Sequence, residues 1–291
     1  GVQAHAHPAL DFFWRVITHL GDGYYAAVAL VLFWCWNKRT AARLVAVYAA
    51  SLVLNALVKE WVASPRPFLA WPEVVAKVTA SGYSFPSGHA QNAAAFGFYG
   101  ALKAHKRWVT VLVGVAVPLI ASSRIYLGVH YPHDAVAGLV LGMLWASAFA
   151  WLDRVTEAPR RHFAAPALLG TVVIVSVALA LTLSASYAHF AAAVWLGAGL
   201  GYTAERFWVG LEPAPSRRTG WRRLAVGLVL LACLGGLAAV PGVVAAIKEQ
   251  WVLGSIAGLV LGLVPSVLAP FLFVRLGLTK VVPSAGLARR G

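Results

Sequence analysis

The chain has 291 residues, of which 60% are hydrophobic and 12% charged, roughly half the charged share of an average soluble protein. Its repeated near-uncharged runs approach the roughly 20 residues that cross a bilayer, which excludes a soluble domain and indicates a membrane protein. The 24 Lys and Arg against 10 Asp and Glu give a net charge of +14, but the cations lie between the apolar runs, so nucleic acid is not the expected partner.

The opening GVQAHAHP lacks the pattern of a signal peptide, and His5 and His7 read as a mobile terminus rather than metal ligands. HPALDFFWRVITHLGDG then reads as an amphipathic segment lying at the membrane interface. Asp11 and Asp22 flank it, either as helix caps or as neighbours of a site mouth. Apolar windows predict spans at 24–36, 41–62, 90–102, 108–126, 134–152, 163–187, 190–208, 224–240 and 251–276. The expected fold is therefore an all-α polytopic transmembrane bundle of about nine spans. Cys35 and Cys233 fall inside apolar windows without a CxxC spacing and read as buried thiols.

Orientation follows from the connections. NKRTAAR, KAHKR, DRVTEAPRRH, SRRTGWRR and the tail TKVVPSAGLARR recur at every second crossing and hold most of the Lys and Arg, which makes them cytoplasmic. The opposite face carries the 59–83 and 124–134 stretches, SASYAHF and KEQ. The first two place Lys, Arg, His and Asp beside membrane-buried helix ends, where ionisable groups are costly and point to function. Small residues at a spacing of four, Gly138 and Gly142, Gly197 and Gly201, and Gly254, Gly258 and Gly262, predict close helix packing within the chain, with a homodimer as the other use.

Three short motifs share the non-cytoplasmic face: Lys59, six residues, Arg66 and Pro67; Pro86, Ser87, Gly88 and His89; and Ser123, Arg124, five residues, His130, three residues, Asp134. Alone, a Lys and an Arg at a helix end read as snorkelling anchors, and PSGH as a helix start with Ser as N-cap. In this order and on one side, the sequence resembles the type 2 phosphatidic acid phosphatase family. That family's signature is K-x6-RP, PSGH and SR-x5-H-x3-D, and KEWVASPRP, PSGH and SRIYLGVHYPHD match every position. The resemblance covers about residues 24–152. It implies a helical bundle with its site at the outer end and hydrolysis of phosphate esters or diphosphates without metal. The family's usual core has about six spans, so residues 8–154 are expected to form the phosphatase core and 155–291 additional helices of uncertain role.

The residues support that chemistry by themselves. A phosphoryl group in transfer spreads negative charge over its oxygens, and stabilising that charge is most of the catalytic task. Lys59, Arg66 and Arg124 supply three cations, two of them planar forks suited to phosphate. Ser87 and Gly88 sit where a helix begins and can point backbone N–H groups at an anion, with Gly88 leaving the approach open and Pro86 setting the turn. Of two histidines, His130 is expected to attack phosphorus, oriented by Asp134 four residues on, while His89 protonates the leaving oxygen; the resemblance implies the same roles. His133 is expected to face solvent or a loop, Ser123 to bond a backbone carbonyl, and Asn55 to hydrogen-bond between helices. Glu205 and Arg206 read as a pair at a helix end or as part of a polar cavity.

No cofactor and no metal is expected, since no carboxylate or Cys/His cluster offers a cage. The expected substrate is a membrane lipid phosphate arriving by lateral diffusion, at the non-cytoplasmic side of a multi-pass inner (plasma) membrane protein. Undecaprenyl diphosphate is the first choice, followed by phosphatidylglycerol phosphate and phosphatidic acid. The alternatives are phosphotransfer to a lipid or sugar hydroxyl through the same site, and a lipid transporter or scramblase built on the C-terminal helices.

Overall fold

The computed structural model describes residues 7–22, 24–157, 185–238 and 249–280, together with 173, 174, 176, 177 and 181. Among them there are helices and connecting turns but no strand, as expected of an all-α chain. Contacts divide the chain into two units, Gly1–Ala27 with Arg43–Arg160, and Val28–Ala42 with Arg161–Gly291. Residues 28–42 therefore group with the later helices, and the boundary is not a single cut at residue 154.

The first unit holds α1 (Pro8–His19), the start of α2 (Tyr24–Cys35), most of α3 (Lys38–Val62), α4 (Pro67–Ala70), α5 (Gly88–Ala104), α6 (Arg107–Tyr126) and α7 (Pro132–Glu157). Helix α1 begins with Pro8, whose missing N–H costs nothing at a first turn, and His7 caps it by accepting the Ala9 N–H at 3.3 Å. His7 is thus a helix cap, while His5 lies outside the described residues. Leu10, Phe12, Phe13 and Val16 on α1 are exposed while Thr18 is buried, the amphipathic pattern of a helix at an interface.

Helix α5 packs against both α6 and α7. A Cβ on Gly138 would lie 3.1 Å from Ala90 Cβ, and one on Gly142 would lie 2.6 Å from Ala94 Cβ, so the α5 and α7 backbones touch as the glycine spacing predicts. The order of these contacts makes the two helices parallel. At one end the Ser87 N–H reaches the Asp134 carbonyl; at the other, Lys103 and the Tyr99 hydroxyl meet Asp153, which also pairs with Arg43. On α3, Ser51 and Asn55 face α5 and bond Asn92 and Gln91 at 2.7 and 2.9 Å. Buried amides paired in this way fix one helix register.

The second unit contains α8 (Ala185–Ala204), running into a π-helical turn at Glu205–Val209, α9 (Arg217–Ala238), α10 (Trp251–Leu263), a second π turn at Val264–Leu268, and α11 (Ala269–Arg275). Helices α8 and α10 meet through Gly197, Gly258 and Gly262, whose added Cβ atoms would strike the facing helix, while one on Gly201 would strike Ser266 in the second π turn. Phe33, Trp34, Ala41, Leu211 and Phe273 form the unit's core. Glu205 is buried and pairs with Lys38 at 2.8 Å, not with its neighbour Arg206. It also accepts the Leu211 N–H, and Gly210, at a φ of 66° that favours glycine, closes the turn. Cys35 is buried as expected, but Cys233 is exposed on α9; facing lipid costs an apolar thiol nothing.

Among the described residues four stretches, Lys38–Ala70, Arg107–Tyr126, Pro132–Arg154 and Trp251–Arg275, are long and apolar enough to cross a bilayer, or five if the bent pair α1 and α2 forms one span. Their windows are only 22 to 44% buried, leaving apolar side chains such as Leu112, Val136 and Leu144 exposed where lipid tails would lie. Of the nine expected spans, the 163–187 window lies almost wholly outside the described residues.

Candidate active site

All three motifs lie in the first unit, and their residues meet at the end where α5 and α7 begin. Asp134 stands in the first turn of α7 with its side chain buried. Its Oδ2 accepts the Ser84 hydroxyl at 2.6 Å and the Tyr131 N–H at 2.9 Å, and lies 3.4 Å from His130 Nδ1. An ionised carboxylate only accepts, so the proton of the neutral ring belongs on Nδ1. On the other edge Arg66 Nη1, a donor only, lies 3.4 Å from His130 Nε2. Both neighbours therefore assign the same tautomer, with a lone pair on Nε2 facing a cation. Burial holds the His130 imidazole down at about 4 against the ordinary 6.5; Asp134 opposes the shift, and Arg66, Lys59 and Arg124 reinforce it.

The cations do more than line a pocket. Arg66 spreads its guanidinium over three main-chain carbonyls, with Nε on Gly82 at 2.9 Å, Nη2 on Ser81 at 2.6 Å and Nη1 on Val129 at 2.9 Å. The Lys59 ammonium donates to the carbonyls of Tyr83 and Ser84. These two side chains fold the 81–84 segment against the loop that carries His130. Arg124 differs: Nη1 donates to Thr18 Oγ1 at 2.7 Å, but its buried Nε has no partner. Ser87, the N-cap of α5, likewise makes no capping bond, and its buried hydroxyl has no partner. Two buried donors without partners, Ser87 Oγ at the start of α5 and Arg124 Nε in the last turn of α6, are free to meet anionic oxygens.

Gly88 has a different neighbour from the one expected. A Cβ there would lie 3.0 Å from Asn55 Oδ1, so its missing side chain makes room for Asn55 rather than for an anion. The Asn55 amide donates to the Pro86 carbonyl at 3.3 Å and to Gln91, the interhelical role expected of it. Ser123 bonds the Ile120 carbonyl at 2.6 Å, also as expected. His133 is exposed and stacks on Tyr131, with Nε2 3.2 Å from Asp134 Oδ1.

His89 opens the first turn of α5, and its Nε2 lies 2.9 Å from Asp22 Oδ1. Arg66 and Arg124 both disfavour charge on His89 and on His130. Asp11, by contrast, pairs with Lys77 and the Tyr126 hydroxyl. Sequence reasoning missed Ser84 and Thr18 and left Asp22 undecided. The one available signal was an acidic residue in a Gly-Asp-Gly turn close to the membrane, where charge is rare. Among the described residues no group of three or more His, Cys, Asp or Glu is arranged to hold a metal.

The model of the PAP2 superfamily matches residues 40–157, which include every motif residue above. Phosphatidylglycerophosphatase B of Bacillus subtilis (strain 168) is 32% identical over 142 residues, 44% of this chain and 68% of its own. An undecaprenyl-diphosphatase of Sulfolobus acidocaldarius is 32% identical over 120 residues, 41% of this chain and 57% of its own. Undecaprenyl-diphosphatase BcrC of Bacillus subtilis (strain 168) is 31% identical over 147 residues, 48% of this chain and 74% of its own. A crystal structure of the first transmembrane PAP2 type phosphatidylglycerolphosphate phosphatase, from Bacillus subtilis, is 28% identical, covering 55% of this chain and 84% of that chain at a TM-score of 0.46. Matching family model, relatives and apolar helices together make this a multi-pass membrane protein. The chain belongs to the PAP2 superfamily of phosphatases.

Proposed function

We propose that the chain hydrolyses a lipid phosphate or diphosphate headgroup at the non-cytoplasmic membrane face, through a phosphohistidine on His130. The observation that carries this reading is the His130 tautomer: Nδ1 turned to Asp134 and Nε2 turned to Arg66 leaves a neutral nitrogen nucleophile beside a cation. Nε2 attacks phosphorus and the N–P bond forms. The P–O bond to the lipid breaks, its electron pair stays on the leaving oxygen, and His89 supplies the proton. Water then attacks phosphorus, its proton passes to His89, and the N–P electrons return to Nε2. Arg124 Nε and Ser87 Oγ meet the phosphate oxygens, while Lys59 and Arg66 hold the surrounding loop and add positive charge.

Undecaprenyl diphosphate is the favoured substrate, with phosphatidylglycerol phosphate and phosphatidic acid next. Relatives are named for each of the first two, and three cations suit a diphosphate. His130→Ala in the purified full chain should abolish phosphate release from all three lipids, and rapid quench of the wild type should trap an acid-labile phosphoenzyme. Turnover by His130→Ala at the wild-type rate would remove the nucleophile assignment. Release should persist in EDTA, because side chains supply all the positive charge in this mechanism.

A further inference from the structure

The Asp22 carboxylate lies between two imidazoles, with Oδ1 2.9 Å from His89 Nε2 and Oδ2 2.7 Å from His19 Nδ1. The turn that carries it, between α1 and α2, is seated directly on the His89 ring. A Cβ added to Gly21 would lie 2.8 Å from His89 Cδ2 and 2.7 Å from Ile120 Cγ2, so only a residue without a side chain lets the backbone come this close. The same turn is tied down by Thr18, which accepts from Arg124 at 2.7 Å, and by the Gly21 and Asp22 N–H groups bonding the Thr18 and His19 carbonyls. Thr18, Gly21 and Asp22, within five consecutive residues, thus engage His89 and Arg124, both motif residues. Burial and the nearby guanidinium groups of Arg124 and Arg66 disfavour a charged His89; Asp22 is the neighbour that favours it.

We propose that Asp22 is a positioning residue for the acid–base step: it holds His89 through Nε2, so that Nδ1 is the nitrogen that exchanges the proton. This rests on the reading of His89 as general acid and names the group that orients it. The imidazolium Nδ1–H passes its proton to the leaving oxygen as the P–O bond breaks, and the bond electrons remain on that oxygen. Neutral Nδ1 then takes a proton from the attacking water, and Asp22 stays ionised throughout. Exposed His19 fixes the second carboxylate oxygen.

The test compares two leaving groups in the purified full chain. An alkyl phosphate monoester needs a proton on its leaving oxygen, whereas p-nitrophenyl phosphate releases p-nitrophenolate, a stable anion. Asp22→Asn should lower kcat/KM, which reports the phosphorylation step and not the shared water attack, about 100-fold on the lipid phosphate monoester and less than about fivefold on the aryl ester. Asp22→Glu should recover part of the loss, and His89→Ala with Asp22→Asn should be no slower than His89→Ala alone. Equal losses on both esters, or losses that add to those of His89→Ala, would overturn the proposal. Full lipid turnover by His89→Ala would overturn the underlying acid assignment instead. The nitrogen shifts of labelled His89 in the wild type decide the matter without any substitution: neutral His89 must carry its proton on Nε2, and an Nδ1–H ring defeats the assignment.

Discussion

The Ser87 N–H donates to the Asp134 carbonyl across 3.0 Å, tying the turn ahead of His89 to the first turn of the helix that follows His130. Through this single main-chain bond, the second and third motifs are held at one place although Ser87 and Asp134 lie 47 positions apart in the sequence. The side chains of both residues are buried beside it, so the spacing of the two imidazoles is set by backbone rather than by flexible side chains.

Arg66→Lys should be a severe change despite keeping the charge. Lysine has one nitrogen where the guanidinium bonds the carbonyls of Gly82, Ser81 and Val129, and hydrogen bonds to charged groups contribute about 1.5–3 kcal/mol each. Loss of about 3 kcal/mol corresponds to roughly a 100-fold fall in kcat/KM. Phosphate-release kinetics measure it, and a variant within tenfold of wild type would show that the fork is dispensable.

Gly142→Ala should destabilise the chain by about 1–3 kcal/mol, since the new Cβ would press on Ala94 Cβ at 2.6 Å and Ala95 N at 2.9 Å in α5. Gly114→Ala on α6 meets nothing within 4 Å and should be neutral or slightly stabilising through helix propensity. Thermal unfolding of the pair side by side separates packing from propensity; similar melting temperatures would contradict the contact.

His130 should remain neutral far below the usual histidine range. Its folded value of about 4 lies under the ordinary 6.5, chiefly through burial, so on acidification the unfolded chain takes up the proton first. The stability this provides is complete above pH 6.5 and is lost as the pH falls through 4. Titration of the labelled ring by NMR reads the value directly. Asp134→Asn should lower it further, because Asp134 is the neighbour opposing the shift.

In the second unit, Lys38→Met should cost about 3 kcal/mol, because it leaves the buried Glu205 carboxylate without its cation. Adding Glu205→Gln should return most of that loss, since the amide needs no counter-charge. Unfolding of the two singles and the double closes a mutant cycle, and strictly additive losses would mean that the pair is not coupled.

Much of this molecule is legible in its residue pattern, and for identifiable reasons. Helix windows and the three motifs are local signals, and the glycine spacing at 138 and 142 announces a close neighbour. What the pattern does not convey is which side chain occupies which space. Gly88 reads as a clear path for an anion, yet Asn55 fills it, because that depends on the register of α3 against α5. Ser84 stands outside every motif and becomes visible only once its hydroxyl is seen on Asp134 Oδ2. Asp22 precedes His89 by 67 residues, and no periodicity links a turn to a distant helix start. Cys233 reads as buried because apolar windows look alike whether they face protein or lipid.

The parallel, glycine-lined contact of α5 and α7 has a mechanical consequence. Two backbones in direct touch, pinned near Ser87 and Asp134 at one end and near Tyr99, Lys103 and Asp153 at the other, resist sliding past each other, so the helix starts that carry His89 and Asp134 form one rigid seat.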